Sequence, residues 1–213
     1  KRRMPRVPDT TLEVAAEARG FSSIAGVDEA GRGPWAGPVV AGAAILDIAN
    51  VPVDLLNALD DSKKLKPHSR ADLFEQLTDC SAAYLGVGQC QVADIDIHNI
   101  LQATMMAMAK AVADLPLTAD YALVDGNREP VLLCPLETVV KGDGKSVSIA
   151  AASIVAKVTR DNIMADLAKE FPGYGWETNA GYGTPQHQTA LRHLGVTPHH
   201  RRSFKPIQQY LRR

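Results

Sequence analysis

The chain has 213 residues and a formal net charge of −1, with 46% hydrophobic and 22% charged residues, which suits one globular domain large enough to bury a core. The near-neutral balance excludes a protein that coats nucleic acid by bulk positive charge, and no apolar window is long enough to cross a bilayer. Three scattered cysteines, Cys80, Cys90 and Cys134, lack metal-ligand spacing and read as reduced thiols, and the basic start is not followed by an apolar run, so a cytoplasmic protein is expected.

Residues 1–20 read as a polar, basic lead with a short helix over 11–19, and residues 21–213 as one domain ending in a helical portion and a basic tail. The first strand is expected over 22–29: an apolar run (Ile24 to Val27), two adjacent carboxylates, Asp28 and Glu29, then the break Gly31-Arg32-Gly33. A second buried strand over 39–46 follows a short turn, which implies an antiparallel hairpin. A loop then carries Asp60, Asp61, Ser62, Lys63 and Lys64, and Pro67 opens a helix that buries Leu73, Phe74 and Leu77. A third strand is expected over 82–91. Ile97, Ile100, Leu101, Met105, Met108 and Val112 recur at helical spacing and predict a long helix over 96–114. Two short strands, 121–124 and 135–140, end at Asp125-Gly126 and at Lys141-Gly142-Asp143. A helix over 148–169 starts with Ala150-Ala151-Ala152-Ser153, side chains small enough to let it lie close to a sheet. After a loop with glycines and aromatics, a last helix covers 185–194.

Successive strand residues point to opposite faces, so Asp28 and Glu29 can serve one site only where the strand ends or bulges. Gly31 and Gly33 can take positive φ and admit a ligand close to the backbone, and Arg32 offers a planar fork suited to phosphate. Acids at three strand ends, Asp28 with Glu29, Asp125 and Asp143, can converge on one rim of an α/β sheet. Singly, Asp125-Gly126 is also an ordinary turn and Asp143 a helix-start acid. Gathered together, bare carboxylates repel and raise their own pKa values unless a cation neutralises them. Oxygen donors without Cys or His favour a hard cation, Mg²⁺ or Mn²⁺, over zinc.

Five blocks give the chain a family resemblance: Gly26-Val27-Asp28-Glu29-Ala30-Gly31-Arg32-Gly33-Pro34; Asp61-Ser62-Lys63-Lys64-Leu65; Val124-Asp125-Gly126; Lys141-Gly142-Asp143 running into the stretch from Ala151 to Asp161; and Gly181-Tyr182-Gly183-Thr184-Pro185 with His199-His200-Arg201-Arg202-Ser203-Phe204. In this order they resemble bacterial ribonuclease HII, the type 2 ribonuclease H. The resemblance implies a ribonuclease H-like α/β fold, a central mixed five-stranded sheet flanked by helices with a helical C-terminal portion. It implies an endoribonuclease that cuts RNA in RNA/DNA hybrids and incises 5′ of single ribonucleotides embedded in duplex DNA, leaving a 5′-phosphate and a 3′-hydroxyl. Asp28, Glu29, Asp125 and Asp143 would hold Mn²⁺ or Mg²⁺, two ions during catalysis. The Gly31-Arg32-Gly33 backbone and Tyr182 would read the 2′-hydroxyl that distinguishes RNA from DNA, and Ser62, Lys63 and Lys64 would hold phosphates. Arg160, Arg201, Arg202, His199 and His200 are weaker substrate candidates, and Trp35 is read as packing. A monomer acting on hybrids and on DNA containing ribonucleotides, with no membrane partner, is expected. Ribonuclease HIII resembles this core but carries a further N-terminal substrate-binding domain, for which the lead is too short. Type 1 ribonuclease H lacks the Gly-Arg-Gly motif. Two alternatives are a non-catalytic hybrid-binding module, which would not need the acids, and another ribonuclease H-like nuclease acting on DNA junctions or ends.

Overall fold

A computed structural model describes residues 7–211; the basic run at 1–6 and the last two arginines of the tail lie outside the described residues. The first hairpin is built from β1 (Ile24–Ala30) and β2 (Val39–Leu46), antiparallel as the short turn requires, with Asp28 opposite Gly42 and Glu29 opposite Ala41. β3 (Ala83–Cys90) pairs antiparallel with β2, while β4 (Tyr121–Asp125) and β5 (Leu136–Val139) add parallel strands on the other side, giving a mixed sheet in the order β3-β2-β1-β4-β5. The parallel strands β1, β4 and β5 therefore end at the same rim.

Two long helices cover the sheet. α4 (Val92–Ala113) packs on the face that carries Ala25, Val27, Ala41, Ala43 and Ile45, and α5 (Val147–Glu170) on the opposite face with Ala44 and Leu46. Strand pleating separates these two sets. α5 lies very close. A Cβ placed on Gly26 would stand 2.1 Å from the Ser148 carbonyl carbon, and one on Gly42 would stand 2.3 Å from the Ala152 oxygen. The Ala150–Ala152 run is wholly buried there, so the small residues do set the approach of this helix. Ser146 caps it, accepting from the Ile149 N–H at 3.1 Å. α1 (Thr11–Glu17) also reaches it. The Glu13 carboxylate is buried and accepts from the Ser146 hydroxyl at 2.5 Å and the Ser148 N–H at 3.0 Å, satisfying free donors at a positive helix end.

α2 (Val53–Ala58) and α3 (Pro67–Asp79) flank the α5 side, α3 burying Leu73 and Leu77 with Phe74 half-buried. Past α5, the short α6 (Trp176–Asn179) and α8 (Lys205–Gln208) surround α7 (Pro185–Leu194) and close a separate cluster around Trp176, Tyr174 and Ile207. α2, α6 and α8 are too short to show a helical period in sequence. One apolar stripe departs from expectation. Asn99 interrupts α4 with φ 66° and ψ 164°, which resets the helical phase, and Ile97 is left 76% exposed.

Gly26→Ala is expected to lower stability by about 3 kcal/mol, because its methyl would meet main-chain atoms that cannot move independently. Urea unfolding checks this, and a midpoint equal to that of the native chain would contradict the packing described.

Candidate active site

The ladder between β1 and β4 stops at Val27 opposite Val124. The next residues, Asp28 and Glu29 on β1 and Asp125 on β4, stand past the last β1–β4 pair at the rim, while β1 stays paired to β2 as far as Ala30. The two adjacent acids therefore lie inside a strand rather than at its end. Pleating turns Asp28 to the α5 face with Gly26, and Glu29 to the other face with Val27. Both nevertheless feel Asp125, since the opening beside β1 leaves no strand between them. Asp143 arrives by another route. It sits in a 3₁₀ turn, Gly142–Gly144, between β5 and α5. The residue before the turn, Lys141, takes left-handed φ 56°, and the Gly142 N–H donates to Asp125 Oδ1 at 2.6 Å. That bond ties the two acidic segments together.

Burial, then the charges of Glu29 and Asp125, push Asp28 well above the usual carboxylate range. Burial raises Glu29 against the pull of Arg32, whose Nη1 lies 3.3 Å from Glu29 Oε1, and Asp125 raises it further. Asp143 is raised by burial and by the charges of Asp61 and Asp125. Lys63, 3.9 Å from Asp143, is held above its ordinary value, against burial, by Asp28, Asp143, Asp61 and Asp125. The acids thus share one field. Asp28 Oδ1 accepts from the Glu29 N–H at 2.7 Å, but its Oδ2 is buried with no hydrogen-bond partner, a costly arrangement in a finished protein. Among the described residues no group of three or more His, Cys, Asp or Glu is drawn together as a ready metal cage. An orphaned carboxylate oxygen and mutually repelling acids with oxygen donors only still fit a hard divalent cation better than any other occupant.

The remaining sequence candidates fall into two groups. Lys63 and Lys64 line a cleft of about 490 Å³ with Asp61, Asp125, Lys141, Asp143 and Lys145, and Lys64 pairs with Asp60 at 2.8 Å. Ser62 is different: only 3% exposed, its hydroxyl accepts from that of Ser153 at 2.8 Å, and Ser153 lies close enough to Asp28 to lower its carboxyl against the effect of burial. Its side chain thus buttresses an acid rather than facing a surface ligand. Gly31 takes φ +94° and a Cβ there would meet Arg160 Nε at 2.0 Å, so both backbone and space require glycine. Tyr182, half exposed, lies over Gly33, its Cε1 3.3 Å from a Cβ built there. Trp35 packs against Gly183 and the C-terminal cluster, as a packing residue should.

Arg160 and Arg201 are buried and donate to main-chain carbonyls, which removes them as phosphate contacts. His200 is buried against His187 at 3.0 Å; burial, with the charge of His187, lowers it to about 3. Arg202 stays exposed, its N–H bound by Asp96. Three contributors escaped the sequence reading: Asp61, Ser153 and Lys141. Asp61 opens the Asp-Ser-Lys-Lys run, where the lysines drew attention, and Ser153 lies among alanines that pack.

The ribonuclease HII family model matches residues 25–207. The chain belongs to the ribonuclease HII family. It is therefore an enzyme, a type 2 ribonuclease H, from a family that hydrolyses RNA in RNA/DNA hybrids. A ribonuclease HII of a Ruegeria species is 57% identical over 205 residues, spanning 96% of this chain and 87% of the relative. Among solved structures, the ribonuclease H2 of Pyrococcus horikoshii superposes with a TM-score of 0.74 at 28% identity, covering 89% of this chain and 97% of that one. Bst-RNase HIII in complex with Mn²⁺ has the same fold, with a TM-score of 0.72 at 18% identity, covering 89% of this chain and 69% of that one. The five-stranded mixed sheet with flanking helices is thus the architecture of type 2 ribonuclease H enzymes.

A raised acid binds its proton more tightly folded than unfolded, so its contribution favours the fold below about pH 4 and is lost as pH rises through the folded value. The buried histidines, lowered, act in the opposite sense. Comparison with Asp28→Asn separates the two effects. In chelator, this variant of the ribonuclease HII chain is expected to melt higher than the native chain at pH 8, with the difference vanishing near pH 4. Melting curves across that range decide it; a native chain that outlasts the variant at pH 8 would refute the account of Asp28.

Proposed function

We propose that this ribonuclease HII is a metal-dependent endoribonuclease that cuts RNA in RNA/DNA hybrids and incises 5′ of single ribonucleotides embedded in duplex DNA, leaving a 5′-phosphate and a 3′-hydroxyl. The observation that carries this reading is the placement of acids from three chain segments in one field at the rim, with a buried oxygen of Asp28 left unpaired beside them. Asp28, Glu29, Asp125 and Asp143 would hold Mg²⁺ or Mn²⁺, two ions during catalysis. Such ions supply an activated water and offset charge on the phosphate and the leaving oxygen.

The chain's own groups do the rest. The Gly142 N–H fixes one oxygen of Asp125, the Glu29 N–H fixes one oxygen of Asp28, and Ser153, which donates to Ser62, stands beside Asp28. Lys63 balances the acids while they are bare, and with Lys64 provides positive charge where a phosphate backbone enters. Gly31 and Gly33 carry no side chain, and the exposed Arg32 fork is turned to Glu29. Main-chain N–H groups there can thus approach a ribose closely. Tyr182 would close the other side, its phenol hydrogen-bonding the 2′-hydroxyl and its ring stacking on the following sugar.

The test is a paired incision assay on an all-RNA/DNA hybrid and on a DNA duplex holding one ribonucleotide, with Mg²⁺ or Mn²⁺. Asp125→Asn is expected to lower cutting of both by on the order of a hundredfold or more. No incision by the native chain, or full activity in Asp125→Asn, rejects the proposal. Tyr182→Ala is expected to cut the lone ribonucleotide about tenfold more slowly while retaining hybrid binding. An equal loss on every substrate removes the role given to Tyr182.

A further inference from the structure

Arg160 and Arg201 raise a question that phosphate binding does not answer. Each is a full positive charge placed where water does not reach, and a buried cation without an anion is expensive. Their hydrogen bonds go to main-chain carbonyls instead. Arg160 donates to Pro38 O at 3.0 Å, Ala180 O at 3.0 Å and Ala36 O at 3.1 Å. Arg201 donates from Nε to Gly37 O at 3.0 Å, from Nη1 to Arg32 O at 2.9 Å, and from Nη2 to Gly31 O at 2.5 Å and Pro38 O at 3.1 Å. Burial, with Arg160 alongside, lowers Arg201 to about 9, and burial lowers Arg160 to about 10. Both remain charged at neutral pH.

A trans peptide is planar, with its C=O and the next N–H pointing in opposite directions, and the described chain has no cis peptide. When Arg201 pulls the Gly31 carbonyl inward, the Arg32 N–H must turn outward. When it pulls the Arg32 carbonyl inward, so must the Gly33 N–H. Arg32 and Gly33 are exposed, and neither N–H meets a hydrogen-bond acceptor among the described residues. Tyr182 lies directly over Gly33. Two free donors thus face the same space as the phenol.

We propose that Arg201 is a positioning residue for ribose recognition: it never touches substrate, but by gripping the Gly31 and Arg32 carbonyls it aims the N–H groups of Arg32 and Gly33 at the 2′-oxygen of the nucleotide under Tyr182. The inference rests on the reading of Gly31–Gly33 and Tyr182 given above. The guanidinium also polarises both peptide groups, which makes the outward N–H groups stronger donors. Lysine cannot replace it, since its donors radiate from one nitrogen and cannot span carbonyls of four residues. Arg160 complements the device from below, its side chain filling the space a Cβ on Gly31 would need.

The experiment measures binding of two duplexes of one sequence, one all DNA and one with a single ribonucleotide, in Mg²⁺, using Asp125→Asn as the reference to prevent cutting. Adding Arg201→Lys is expected to erase about tenfold of the preference for the ribonucleotide duplex while affinity for all-DNA duplex stays the same. A folded variant with the full preference overturns the role of Arg201 and leaves the reading of the site intact. A parallel loss on both duplexes also overturns it, because the N–H groups would then serve phosphate. A reference protein with no ribose preference removes the reading of the site and the inference with it. If Arg201→Lys does not fold, amide spectra of the Asp125→Asn protein decide. The Arg32 and Gly33 N–H signals are expected to move with the ribonucleotide duplex and not with all-DNA duplex, and their failure to do so overturns the proposal.

Discussion

A helix can approach a sheet only as closely as the side chains between them allow, and where α5 crosses β1 and β2 there is almost nothing between. Gly26 and Gly42 leave room for the helix backbone itself, and the alanines at its start fill the rest. Most of the site depends on that contact. Because α5 lies so near, Ser153 reaches Asp28 and Ser62. Two turns on, Arg160 runs beneath Gly31 to bind the Ala36 and Pro38 carbonyls, just after the Gly-Arg-Gly turn, and the Ala180 carbonyl of the Tyr182 loop. At the helix start, the 3₁₀ turn brings Asp143 beside Asp125. A larger residue at position 26 or 42 would push all three connections outward together.

The same closeness creates an electrostatic problem. Asp28 is withdrawn from water beside Glu29 and Asp125, and one of its oxygens finds no donor. Lys63 and Arg32 offset part of the repulsion, but both are more than half exposed, so their worth is small. Sites that violate the ordinary rules of polar burial are where function is expected. Here the violation is a localised excess of negative charge at the end of parallel strands, where ligands of open α/β sheets bind. Around it the balance reverses: lysines line the cleft, and two buried arginines lie behind the turn that leads to it. An acidic centre inside a basic surround suits a phosphodiester handled with cations, and it explains how a chain with net charge −1 can engage nucleic acid.

The C-terminal portion has a structural task as well. Trp176, Tyr174, His187 and His200 form a buried aromatic cluster, and His187 Nδ1 holds the Tyr182 carbonyl at 2.9 Å. Thr197 N–H donates to His200 Nδ1, so neutral His200 carries its proton on Nε2 and His187 receives it, leaving His187 Nδ1–H for Tyr182. The exposed tyrosine therefore stands on a fixed base although its loop contains glycines.

Amino-acid order alone settled the strands and long helices, because each has its own period or boundary: the apolar run into Asp28, the Pro67 and Pro185 helix starts, and the alanine-rich start of α5 were readable without tertiary contact. It also marked the acids and Gly31-Arg32-Gly33, whose residue types have few uses other than ligand binding in that context. What only the folded chain decided were facts of direction. Whether Asp28 and Glu29 act together depended on where β4 stops pairing, not on either residue. Ser62, Arg160 and Arg201 look like surface polar groups in sequence, yet they point inward, since the side a polar side chain faces is fixed by partners far along the chain. Ile97 faces outward for a similar reason, a single non-helical residue two places on. Local sequence encodes which elements form, and the long-range packing of α5 against the sheet determines what their polar side chains meet.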